Sequence, residues 1–300
     1  MQENFKSHLA LFVTALIYGA NYTIAKGVMP EYLLPFGFIL LRVTGGLILF
    51  WITGFFSPQK IERKDFPLLA LCGLFGVAIN QLLFFKGLSM TTPINAAIIM
   101  VCTPILVLLI AGFLVNEKIT FRKLFGIFLG LIGAALLLLV NHDFSFGSLT
   151  WRGDLCIFIN AISWGIYLVI AKPLIMKYNT ITVVKWVFLF GFIYTLPFGF
   201  YELQQANFSV MPVNILMSIL FVIIATTYFA YLLNNYALKK VSASVVSIYI
   251  YLQPLLAAGI AIFLGKDELN SIKLISALLI FGGVYLVSVN AKNNDLLNIE

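Results

Sequence analysis

The sequence predicts an all-α membrane protein: ten transmembrane helices built from two inverted five-helix repeats. Three observations carry this expectation: apolar runs of bilayer length, a match of the chain to itself, and a bias of basic residues toward alternate loops. Of the 300 residues 61% are hydrophobic and only 10% charged, and the mean hydropathy is +1.02, more apolar surface than one soluble core can hide. Backbone in lipid must bond to itself, so only helices or closed barrels span. The runs are too long and too evenly apolar for barrel strands, which alternate.

In order, the first span, Leu9–Lys26, follows Lys6 but is full length and lacks a small-residue cleavage site, so it is a span and not a signal peptide. The second, Phe36–Phe56, carries Arg42 near its start, and the third, Leu68–Leu88, carries Asn80 and Gln81. The fourth, Ile94–Val115, contains Pro104 and runs into the acidic loop Val115-Asn116-Glu117-Lys118. On the fifth, Lys123–Val140, Gly126, Gly130 and Gly133 line one face, a small-residue surface for another helix of the bundle or for a second copy in a homodimer. The sixth, Asp154–Leu174, and seventh, Val183–Tyr201, the latter with Lys185 just inside, precede Asn214–Leu238, Ala243–Leu264 and Lys273–Asn290.

Shifting the chain by the separation of Pro104 and Pro254 aligns Leu82–Val140 with Leu232–Asn290 without a gap. Gly133 then meets Gly283, and Glu117 meets Asp267. A second match joins Tyr18-Gly19 and Ala25-Lys26 to Trp164-Gly165 and Ala171-Lys172, which divides the chain into repeats 1–145 and 146–300. Five spans per repeat is an odd number, so the copies enter the membrane from opposite faces. Lys6, Lys60, Arg63, Lys64, Lys118, Arg122, Lys123, Lys172, Lys177, Lys239, Lys240 and Lys292 fall on the N-terminal side, against Lys26, Lys86, Arg152, Lys266 and Lys273 opposite. Both termini are therefore expected in the cytoplasm. The net charge of +7 orients the chain in a bilayer, so no nucleic-acid partner is inferred from it.

The aromatic-Gly pair in the first span of each repeat, Arg42 early in the second, the mid-helix proline before an acidic loop, and the Gly-spaced fifth span together resemble the drug/metabolite transporter superfamily, specifically its EamA-domain members. The resemblance covers essentially the whole chain. It implies a ten-helix inner-membrane carrier with cytoplasmic ends that moves small metabolites, often amino acids and often outward.

Polar side chains in hydrocarbon are costly unless they face a cavity or a partner, so they mark the candidate pathway. Thr14, Tyr18 and Asn21 form one stripe on the first span, and the aligned positions of the sixth are Asn160, Trp164 and Tyr167. Asn80 and Gln81, Thr227 and Tyr231, and Tyr249 form a further set. Thr103 and Gln253 complete it, each preceding a proline, Pro104 or Pro254, that kinks its helix or frees a carbonyl. These thirteen residues are the candidate substrate contacts, Thr226 and Asn234 on the eighth span belong to the same polar set, and helix-to-helix hydrogen bonding is the structural alternative. Arg42, Pro104 and Pro254 are candidates for gating or, at Arg42, for an anion. Tyr251, Phe84 and Phe85 are assigned to packing or lipid.

All twelve Asp and Glu fall in loops, at termini or at span ends, so no buried carboxylate is expected to bind a proton or an organic cation. The related small multidrug-resistance exporters depend on a Glu in their first helix, where this chain has Ala15, Ile17 and Tyr18. Cys72, Cys102 and Cys156 sit in apolar runs without metal-ligand spacing, and neither cofactor nor metal is expected. Histidine occurs only at His8 and His142, and HExxH and Gly-x-Ser-x-Gly motifs are lacking, so an intramembrane enzyme is disfavoured. Gly259–Lys266 is not a phosphate loop, having one residue too many and no following Ser or Thr. The leading expectation is a carrier of small neutral or zwitterionic metabolites such as amino acids; a channel or non-transporting sensor of the same fold is the alternative.

Overall fold

The computed structural model describes residues 2–139, 151–263 and 270–289. Ten helices long and apolar enough to cross a membrane account for nearly all of it. They are α1 (Phe5–Val28), α2 (Pro35–Phe55), α3 (Arg63–Met90), α4 (Asn95–Val115), α5 (Phe121–Leu138), α6 (Trp151–Lys177), α7 (Thr180–Gln204), α8 (Val213–Leu238), α9 (Ala243–Ile260) and α10 (Ser271–Ser288). Each expected span is present, with α1, α3, α6 and α7 lengthened by a turn or so. His142, Asp143, the expected repeat boundary, Lys266, Asp267, Glu268, Lys292, Asp295 and Glu300 lie outside the described residues.

Helix pairing follows the repeat. Among the most extensive contacts, alongside α3 on α6, are those of α2 with α7 and of α5 with α10, each helix packing on its own counterpart from the other half. Such self-pairing arises when two copies are related by an approximate two-fold axis. The glycine stripe of α5 meets α10 inside the chain: a Cβ built on Gly283 would stand 2.5 Å from the Gly126 carbonyl oxygen, so the two backbones touch. Glu202, at the end of α7, accepts the Phe36 and Gly37 amides at 2.7 and 2.9 Å and so caps the start of α2.

The centre of each half departs from regular helix at matched places. In α3, Leu74–Ile79 is wound as π-helix, and in α8 so is Val222–Phe229. A π turn misaligns backbone groups and leaves carbonyls for other partners. Three side chains supply them: Ser163 donates to the Phe75 oxygen at 2.7 Å, Tyr231 to Gly76 at 2.6 Å and Asn160 to Asn80 at 2.6 Å. Helix α4 is interrupted at Val101–Cys102 and α9 by the 3-10 turn Tyr249–Tyr251. Pro104 and Pro254 stand at the start of the following helical segment, where a missing N–H costs nothing.

The helix ends carry the same symmetry. Lys26 Nζ donates to the carbonyls of Leu88, Ser89 and Thr91 at 2.7, 3.2 and 3.0 Å, closing the C-terminus of α3. Lys172, its counterpart on α6, donates to the Val241 carbonyl at 2.8 Å, beyond the end of α8. Thr91 and Val241 are equivalent under the shift that superimposes the two prolines.

The backbone contact at Gly283 sets a test of the α5–α10 pairing. Gly283→Leu forces the helices apart and should cost about 1–3 kcal/mol, read as a lower melting temperature in detergent. An unchanged melting temperature would mean that these helices do not meet there.

Candidate functional site

A cavity with about 760 Å³ of atom-free space, its mouth included, lies where the irregular segments converge. α1 gives it Thr14, Tyr18 and Asn21, the stripe expected from helical spacing, together with Leu11, Ala15 and Tyr22 on the flanks of that stripe. α6 contributes Asn160 and Trp164, α3 contributes Asn80 and Gln81, and Tyr231 enters from α8. α9 adds Tyr249 and Gln253, and Arg42 reaches in from α2. Thr103, Tyr167, Thr227, Pro104 and Pro254 do not line it.

Three of those five are held one layer back, each for a visible reason. Tyr167 is fully buried, with its ring on Gly76, where any Cβ would overlap it, and its hydroxyl donates to Asn235 at 2.8 Å. Thr227 donates to the Val222 carbonyl at 2.7 Å across the π turn, which leaves its oxygen to accept Arg42 Nε at 2.9 Å. Thr103 is buried beside the Met100 sulfur. The two prolines act by placing the helix breaks, and Met100 and Ile250, equivalent residues just before them, are the ones that reach the cavity.

Several wall residues were not among the expected contacts. Phe84 and Phe85, assigned to packing or lipid, form part of the wall, and Thr226 and Asn234, members of the expected polar set of the eighth span, join from α8. Phe85 also lies beneath the Arg42 guanidinium, 4.8 Å from ring centroid to charge. The signal for Phe84 was available in the repeat, because its counterpart is Asn234, a polar residue in mid-span. Tyr251 does remain in packing: it is fully buried.

The centre of the cavity is a contact between equivalent residues. Gln81 Nε2 donates to the Tyr231 hydroxyl at 2.8 Å, and the same shift that carries Pro104 to Pro254 carries Gln81 to Tyr231. Equivalent residues can meet only close to the axis relating the two halves. Tyr231 also packs edge-on against Trp164 and Phe188, so the aromatic wall is fixed by the same side chain.

Charge in the membrane is sparse. Arg42 is 3% exposed, and no carboxylate is found among the described residues lining the cavity. Lys185 rests over the Trp51 ring at 5.3 Å, away from the cavity. One acidic expectation needs correcting: Asp154 is buried, accepting the Thr91 hydroxyl at 2.7 Å, because α6 begins a turn earlier than its apolar run and draws that residue into the bundle. It lies outside the cavity wall. In the loop before α3, Lys177 and Lys64 pair with Glu62 at 2.7 and 2.8 Å and hold its carboxyl below the usual range.

Ten helices in two opposed halves, closing on a polar chamber at their common axis, have the architecture of a membrane carrier. The chain belongs to the EamA-like transporter family, whose domain it matches twice, over residues 5–139 and 151–289. An uncharacterized transporter of Archaeoglobus fulgidus is 29% identical over 95% of this chain and 98% of its own length. The uncharacterized transporter YyaM of Bacillus subtilis is 24% identical over 94% of both chains. A protein of Streptantibioticus cattleyicolor described as a "probable terminal-alkyne amino-acid exporter" is 22% identical over 94% of this chain and 93% of its own. A solved crystal structure shares the fold with a TM-score of 0.75, at 21% identity over 95% of this chain and 97% of the other.

Removing one oxygen tests the central contact. Tyr231→Phe strands the Gly76 carbonyl and the Gln81 amide, each at a cost of about 1–3 kcal/mol. It should lower the melting temperature in detergent well beyond Tyr236→Phe at a half-exposed position, and equal effects would show that the Tyr231 hydroxyl bridges nothing.

Proposed function

We propose that this protein exports small neutral or zwitterionic metabolites, amino acids among them, across the cytoplasmic (inner) membrane, with both termini in the cytoplasm. The observation that carries this proposal is the cavity on the pseudo-two-fold axis, walled, apart from Arg42, by neutral hydrogen-bonding groups and aromatic faces from both halves. Two opposed copies of one fold can exchange conformations, and each exchange moves the opening of a shared central site from one face to the other. The named role of the Streptantibioticus relative supports the substrate class and the outward direction. Thr14, Tyr18, Asn21, Asn80, Gln81, Asn160, Trp164, Tyr231, Tyr249 and Gln253 serve as solute contacts in this proposal. Thr103, Tyr167 and Thr227 support them from behind.

Proteoliposomes containing the purified protein and loaded with unlabelled amino acids should take up labelled amino acid by saturable counterflow. A channel gives flux without countertransport stimulation, and a sensor gives none; either result across a broad metabolite panel sinks the proposal. Asn21→Ala, Trp164→Ala and Gln253→Ala should each lower that flux about tenfold or more. Phe113→Ala, at an 87% exposed position on α4, should leave it near wild type.

A further inference from the structure

Three buried amide oxygens on residues that line the cavity have no hydrogen-bond partner: Oδ1 of Asn21, Oε1 of Gln81 and Oδ1 of Asn160. Their side chains are 4%, 2% and 1% exposed, so bulk water does not serve them. For two of the three the chain itself dictates the orientation. Asn160 binds the Asn80 carbonyl, which can only accept, so the Asn160 nitrogen must point there and its oxygen away. Tyr231 spends its hydrogen on the Gly76 carbonyl, so it can only accept from Gln81, which again turns the amide nitrogen to the protein and leaves the oxygen over.

The opposite polarity comes from Arg42. Its Nε is committed to Thr227, and Thr227, having given its own hydrogen to Val222, is fixed as the acceptor. Phe85 sets the guanidinium plane from below. A guanidinium carries five N–H groups, and this anchoring through Nε holds the fork in place without a carboxylate. An Arg within the span costs about 2.5–3.5 kcal/mol on insertion scales, and the described residues lining the cavity bring no counter-charge to offset it.

We infer that the cavity recognises the two charged ends of an amino-acid zwitterion, with Arg42 taking the carboxylate and the free amide oxygens of Asn21, Gln81 and Asn160 taking the ammonium group. An ammonium offers three N–H donors against these three acceptors. A primary amine without the carboxylate leaves Arg42 unpaired and is repelled by it. A carboxylate without the amine leaves the three oxygens unserved, and an uncharged solute pairs with neither end by charge, so within the proposed substrate class the zwitterion is favoured over the neutral solute. Discrimination of this kind is large, because the rejected analogue strands groups that the site has already buried.

This inference rests on the proposed transport function. In proteoliposome counterflow with a mixture of labelled proteinogenic amino acids, the exchanged species is identified first. Its decarboxylated amine and its deaminated acid are then tested as competitors. Both analogues should compete about tenfold or more weakly than the parent. Arg42→Gln should erase the preference over the amine, and Arg42→Lys, which keeps the charge but loses the fork, should fall between. Asn160→Leu should erase the preference over the acid instead. Amine or acid competing as well as the parent in the wild-type protein overturns the inference and needs no variant. So do variants that weaken all three competitors alike, with amino-acid exchange itself intact. Absence of any amino-acid exchange would instead overturn the transport proposal beneath it.

Discussion

The Tyr231 hydroxyl holds the two halves of this protein together at their axis. It receives the Gln81 amide from the equivalent position of the other half and returns its hydrogen to the Gly76 carbonyl about one turn back along the same helix as Gln81. Lipid offers no substitute partner for any of these groups. The π turn that exposes Gly76, the orientation of Gln81 and the aromatic wall around Trp164 are thereby fixed by one atom. The polar character of the cavity wall follows, since Gln81 turns its amide nitrogen to Tyr231 and leaves its oxygen without a partner.

Irregular backbone makes this chamber possible. A bundle of ten regular helices would close its centre, as the α5–α10 contact closes at Gly283, where the two backbones touch. Instead α3 and α8 are locally underwound into π turns, and α4 and α9 are broken before Pro104 and Pro254. Such backbone persists at membrane depth only where it is buried in protein or lines a cavity. Both conditions hold, with Ser163, Tyr231 and Asn160 covering the freed carbonyls of α3 from behind and from the side. The defects occur in pairs because the fold does.

The spans, the repeat and most of the wall were legible in residue type and spacing, since each is a local property: length of an apolar run, helical stripe, matched order of glycine and proline. What escaped depends on direction across the bundle. Tyr167 continues the α6 stripe from Asn160 and Trp164 but turns aside onto Gly76, and only the missing Cβ on α3 makes that seat. Thr227 was placed in the site by its neighbours in sequence, and the π turn rotates it to Arg42. Phe84 and Phe85 look like lipid-facing residues until Asn234 is seen opposite one and the guanidinium above the other. No residue pattern announces a π turn, because it responds to tertiary contacts and not to propensity.

The two lysine caps show how an inverted repeat balances its states. Lys26 closes the end of α3 and Lys172 the end of α8, near the C-termini of α1 and α6, which run in opposite directions through the membrane. The two closures therefore stand at opposite faces. Each ties the first helix of a repeat to the third, and so ties the polar stripe of that helix to the π-turned wall across the cavity. Both closures are lysine-to-carbonyl bonds, so the two ends are held by bonds of the same chemical kind. For the exchange of conformations proposed above, duplication would supply matched closures at the two faces without separate tuning of each.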